Sequence, residues 1–146
     1  MKAVVQRVKK TTLSVDGELI SEIDKGLAVY LGVEKGDEQS FSEYLAKKIA
    51  NMRIFEDENG KMNLSVIDVG GEILLISQFT LCADTTRGNR PGFDSAEKPD
   101  IAKKTYEEFG KMLSSYGVSV KYGVFGADMQ ISQHNDGPVT IIMEKR

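Results

Sequence analysis

The chain has 146 residues, 40% of them hydrophobic, with a net charge of −3 and a pI near 5.3. That size favours one domain spanning residues 1–146 with its own core, and that charge argues against broad, nonspecific nucleic-acid binding. No apolar run approaches the ~20 residues needed to cross a bilayer by helix.

The opening "MKAVVQRVKK" carries early charges, unlike a signal peptide, and its valines predict a first strand. "TLSVDGELISEI" places Asp16-Gly17 between two alternating stretches, a hairpin signal. "GLAVYLGV" (26–33) is almost continuously apolar and predicts a buried central strand. The period then changes. Phe41, Tyr44, Leu45, Ile49 and Met52 share one helical face, and Ser40 with Glu43 has the spacing of a capping box. "EDENGKMN" reads as a turn, and "EILLISQFTL" (72–81) as a second buried strand.

Residues 82–98 form the longest irregular stretch, rich in Asp, Thr, Gly and Pro. Long loops in compact domains are often functional. Pro99 suits the first turn of a second helix, whose face is Ala102, Tyr106, Phe109, Leu113 and Tyr116, with Gly117 at the stop. "VSVKYGVF" alternates again, and "PVTIIM" (138–143) predicts a last strand. This order lacks regular strand–helix alternation. It predicts an α+β fold with a mixed, mostly antiparallel sheet and two main helices.

Candidate chemistry is sparse. Cys82 is the only cysteine, so no internal disulfide can form, which fits a reducing, cytoplasmic setting. With one Cys and one His, His134, a clustered metal site is not expected, and no cofactor motif is present. Cys82 reads as a small buried hydrophobe, and His134 as an ordinary surface or core residue. Three basic clusters stand out: Arg7, Lys9 and Lys10; Lys47, Lys48 and Arg53; Arg87 and Arg90. Each reads first as solvated surface, although one could touch an RNA end.

"SQFTL" (77–81) is unusual because Ser77, Gln78 and Thr80 follow four apolar residues. Polar groups ending a buried strand need partners or a cavity. They mark either a strand emerging into a loop or a cleft wall whose hydroxyls and N–H groups orient a carbonyl. A Gly-Pro pair in "HNDGPVT" (134–140) opens the last predicted strand, although proline cannot donate to a ladder.

"SQFTL" together with "NDGPVT" resembles the D-aminoacyl-tRNA deacylase family. "QRV" (6–8), residues 26–33, "RIFEDENGKMN" (53–63), "RGNRPGF" (87–93) and "ADMQ" (127–130) extend the resemblance along the chain. It implies a barrel-like homodimer that hydrolyses the ester between a D-amino acid and the terminal adenosine of tRNA, and removes mischarged glycine. It implies that Ser77, Gln78, Phe79 and Thr80 line the catalytic pocket. A Gly-cisPro element, here Gly137 and Pro138, would enter the partner's pocket and exclude L side chains, with Arg7 bracing it. Either Thr80 attacks the ester, or the RNA's 2′-hydroxyl assists. The second is preferred, because no base for Thr80 is evident in the sequence. A noncatalytic RNA-end-binding module is the alternative from another class, and a general esterase is a third. Intact "SQFT" and "GPVT" favour the hydrolase.

Overall fold

The computed structural model describes residues 1–146. In chain order the elements are β1 (Lys2–Val15), β2 (Glu18–Ile23), β3 (Gly26–Gly32), α1 (Gln39–Asn51), β4 (Phe55–Glu56), β5 (Met62–Leu64), β6 (Glu72–Ser77), α2 (Pro99–Ser115), β7 (Ser119–Tyr122) and β8 (Gln130–Glu144). The main sheet runs β2–β1–β3–β6–β7, with β8 on the other edge of β1, and β4–β5 form a small ribbon. β1 is antiparallel to β2, β3 and β8. β3–β6 and β6–β7 are parallel.

The two ends of this path meet. Ser21 Oγ on β2 donates to the Tyr122 carbonyl on β7 at 2.5 Å, and Lys121 Nζ donates to the Glu22 carbonyl at 2.8 Å. The mixed sheet is therefore curled nearly into a barrel. This agrees with the α+β, barrel-like expectation.

Alternation along β6 shows why its sequence is continuously apolar. Ile73 and Leu75 join a cluster with Leu45 and Ile49 of α1 and Phe109 and Leu113 of α2. Leu74 and Ile76 join a second cluster with Val8, Leu13, Ile23 and Ala28. Both faces of the strand are buried, so neither can be polar. The Asp16-Gly17 turn has φ of 50° and 79°, the positive pair that tight hairpins use. Pro99 opens α2, and Gly117 follows its end at φ 91°.

Four local expectations fail. β6 stops at Ser77, and Phe79–Cys82 winds into a 3-10 turn. The capping box does not form: α1 starts at Gln39, so Ser40 lies inside it and bonds the Glu38 carboxylate instead. Tyr44 is exposed, and Ser42 and Ala46 take buried places on α1. The last strand begins at Gln130, not Pro138. β1 offers a 14-residue edge, and backbone pairing along it recruits the polar stretch 130–135. No helix is long and apolar enough to cross a membrane.

Candidate active site

The polar end of β6 sits against the end of β3. Ser77 pairs with Leu31, and the Gln78 N–H donates to the Leu31 carbonyl at 2.8 Å. The 3-10 turn then folds onto Gly32. A Cβ there would lie 3.0 Å from Leu81 Cβ and 3.1 Å from the Gln78 carbonyl, so the turn needs glycine beneath it. Phe79 and Thr80 open this turn, and their N–H groups have no acceptor within it.

A cavity of about 480 Å³ opens beside this turn, within the usual size range of small-molecule sites. Ser77, Gln78 and Phe79 form one wall. Glu97, Pro99 and Ala102 come from the start of α2, and Phe125, Asp128 and Met129 from the segment before β8. Phe79 is 56% exposed and packs edge-on against Phe93 with centroids 5.2 Å apart. Thr80 is exposed on the turn and does not line the cavity. Its hydroxyl accepts from the Gln78 side-chain amide. An amide N–H cannot take a proton from an attacking hydroxyl, so this contact orients Thr80 without activating it.

The remaining nucleophile and base candidates lie elsewhere. Cys82 is buried, its sulfur is 3.6 Å from the Val33 carbonyl, and burial pushes its thiol pKa up. His134 is exposed on β8 opposite Lys10. No group of three or more His, Cys, Asp or Glu side chains converges as metal ligands would. Glu97 and Asp128 are the carboxylates of the cavity wall, and sequence reasoning missed both. Only "ADMQ", noted as part of the resemblance, pointed to one of them.

A second locus lies on β8. Val8 pairs with Asn135 and Gln6 with Thr140, so residues 136–139 stand opposite Arg7 alone. This bulge contains Gly137-Pro138, whose peptide bond is cis. Arg7 is 5% exposed. Its Nε donates to the Asp136 carbonyl at 3.2 Å and lies 3.3 Å from the Asp136 carboxylate. Nη1 donates to the Ile54 carbonyl at 2.7 Å. Arg7 therefore ties the bulge to the segment before β4. Gly137 has φ 126°, a conformation that disfavours any side chain.

The two loci are apart within one chain. Arg7 pairs with Leu27, Leu27 with Ile73, and Ser77 lies four residues further along β6. Four strand residues span ~13 Å, and two interstrand steps add to that. Neither Gly137 nor Pro138 lines the cavity, and both are exposed.

A sequence model of the D-Tyr-tRNA(Tyr) deacylase family matches residues 4–144. The D-aminoacyl-tRNA deacylase of Fervidobacterium nodosum is 51% identical over 146 residues, covering 100% of this chain and 98% of that protein. That of Persephonella marina is 53% identical over 146 residues, covering 100% and 99%. Among solved structures, the c-Myc DNA unwinding element binding protein is 44% identical, with a TM-score of 0.94 over 100% of this chain and 99% of its own. A probable eukaryotic D-amino acid tRNA deacylase shares the fold at a TM-score of 0.83 and 15% identity, each chain being 97% covered. With a whole-chain family match and curated relatives at half identity, the chain belongs to the D-aminoacyl-tRNA deacylase family.

Proposed function

We propose that this protein hydrolyses the ester joining a D-amino acid to the terminal adenosine of tRNA, releasing the free amino acid and the tRNA, and that it also clears glycyl-tRNA. The observation that carries the reading is full-length family membership together with the polar end of β6, Ser77–Phe79, opening onto a cavity.

Water is the nucleophile in this reading. Its oxygen adds to the ester carbonyl carbon, the bond to the ribose oxygen breaks, and that oxygen leaves with a proton. The adjacent 2′-hydroxyl of the RNA assists the proton transfer. The N–H groups of Phe79 and Thr80 receive the developing oxyanion, and Ser77 and Gln78 orient the ester. Thr80 positions rather than attacks, since its hydroxyl meets only an amide donor. Aminoacyl esters are labile, and orientation can lower a barrier by at most ~7–11 kcal/mol.

Chiral selection comes from a second copy of the chain. The bulge at Gly137-Pro138 lies far along the sheet from its own Ser77, which supports the reading that it serves the cavity of a partner in a homodimer. Its two carbonyls accept hydrogen bonds from the substrate ammonium. With no Cβ, Gly137 brings backbone close to the α-carbon, leaving room for hydrogen but not for an L side chain. Glycine passes because it has hydrogen on both sides.

The test is hydrolysis of D-tyrosyl-, L-tyrosyl- and glycyl-tRNA by the purified protein. The expected result is cleavage of the D and glycyl esters with the L ester spared. Equal action on D and L esters would overturn the reading.

A further inference from the structure

The acceptor strand of an RNA substrate is anionic, and the protein carries 22 acidic against 19 basic side chains. Any contact with that strand needs local cations free of intramolecular partners. In two of the three basic clusters most of the cations are already engaged, Lys9 and Lys47 being the exceptions. Lys10 pairs with Glu22 at 2.8 Å, and Arg7 is buried and bonded. Arg53 bonds Asn63 and Lys48 lies over the Tyr44 ring.

The third cluster differs. Of the five arginines in the chain, Arg7, Arg53 and Arg146 each have an acceptor or ion partner, and Arg87 and Arg90 have none. Both are exposed. They stand on a loop closed at its base by reciprocal backbone bonds between Asp84 and Gly92, at 2.8 and 2.9 Å. The one carboxylate at that base, Asp84, accepts from the Thr86 N–H at 2.9 Å and pairs with neither arginine. Both stems of the loop are fastened to the cavity rim. On one side the 3-10 turn carrying Phe79 leads into it. On the other, Phe93 packs on Phe79, and Ser95 Oγ donates to the Cys82 carbonyl at 2.9 Å.

We propose that Arg87 and Arg90 bind the backbone phosphates of the RNA strand just upstream of the nucleotide seated at the cavity. This rests on the hydrolase reading above and names the part of the substrate that a cavity of this size leaves outside. Gly88 at the tip is four steps along the chain from Asp84, a reach of at most ~14 Å. That covers the last few phosphates of a strand and no more. Arginine suits the task because its planar fork meets phosphate oxygens two at a time. The loop supplies affinity and register without sequence preference.

The experiment compares wild type, Arg87→Ala/Arg90→Ala and Arg87→Lys/Arg90→Lys on two substrates, D-tyrosyl-tRNA and D-tyrosyl-adenosine. For the alanine pair we expect KM on tRNA to rise about tenfold, the scale of two exposed charge contacts, with kcat unchanged. D-tyrosyl-adenosine, which has no upstream phosphate, should be cleaved at the wild-type rate. The lysine pair should recover part of the loss. The slope of log affinity against log salt should flatten by ~1.4, at ~0.7 per single-strand phosphate released. An unchanged KM on tRNA, or an equal loss on both substrates, would overturn this proposal and leave the hydrolase reading intact. Wild-type protein that cleaved neither ester would overturn the hydrolase reading and the proposal together.

Discussion

Arg7 and Asp136 are joined twice, by a 3.2 Å hydrogen bond from Nε to the Asp136 carbonyl and by a 3.3 Å approach to its carboxylate. A third contact, to the Ile54 carbonyl, fixes the other side of the guanidinium. The side chain is almost fully buried, so the contacts are shielded from solvent. Arg7→Ala should destabilise the fold by about 2–3 kcal/mol, the scale of hydrogen bonds from a charged group plus an orphaned carbonyl. Arg7→Lys should fall between, because a single ammonium cannot span both carbonyls in the same plane. Urea midpoints for the three proteins check this. Activity should fall in the same order in conditions where all three are folded.

Gly137→Ala should injure the bulge directly. The added Cβ would lie 2.9 Å from Val139 Cγ2, 3.0 Å from Val139 N and 3.1 Å from Arg7 Nη2, at a φ of 126°. Strained backbone of this kind costs about 1–3 kcal/mol. The D-tyrosyl ester should be cleaved more slowly, with reduced discrimination against the L ester. Wild-type kinetics on both esters would remove Gly137 from the account of selectivity.

Thr80→Ala should retain activity within about tenfold of wild type, because losing a true nucleophile costs on the order of 10⁴-fold or more. A tRNA ending in 2′-deoxyadenosine should be cleaved roughly 10²-fold more slowly or worse, the scale of a lost proton-transfer group. Single-turnover rates separate the cases. Background activity for the variant with an unaffected deoxy substrate would reinstate Thr80 as the attacking group.

Tyr106 sets an alkaline limit on stability. Its hydroxyl donates to the Leu75 carbonyl at 2.8 Å, and burial holds the phenol pKa far above its ordinary value. A raised pKa means that the folded protein keeps a proton that the unfolded chain gives up. The contribution is complete below the unfolded value of about 10 and is lost as pH climbs beyond it. Denaturation midpoints should therefore fall between pH 9 and 11. Tyr106→Phe should lower stability by about 1 kcal/mol at pH 7, since Leu75 still accepts from Gly123 N–H, and should fall less steeply at high pH.

Elements whose pattern is set by local backbone or by burial on both faces were readable in the sequence. Asp16-Gly17, the apolar runs of β3 and β6, and Pro99 at the start of α2 are examples. The first half of β8 was not, because Gln130–Asn135 owes its extension to the free edge of β1 and not to its own side chains. The cavity was half visible. Ser77 and Gln78 betray themselves as polar groups after Ile73–Ile76, whereas Glu97 and Asp128 reach the wall through loops whose course depends on contacts distant in sequence. Neither the separation between Arg7 and Ser77 nor the isolation of Arg87 and Arg90 could be read before the strands were placed in register.

The pairing of β1 with β8 has a consequence for synthesis. β1 ends at Val15 and β8 begins at Gln130, so 114 residues lie between the end of one strand and the start of its partner. At ~5–20 residues per second, the growing chain carries that edge without its partner for roughly 6–23 s. An uncovered edge invites pairing with the same strand of a neighbouring nascent chain. Lys9 and Lys10 stand exposed in the middle of β1. Two strands brought together in that interval would set like charges near each other, which disfavours the pairing.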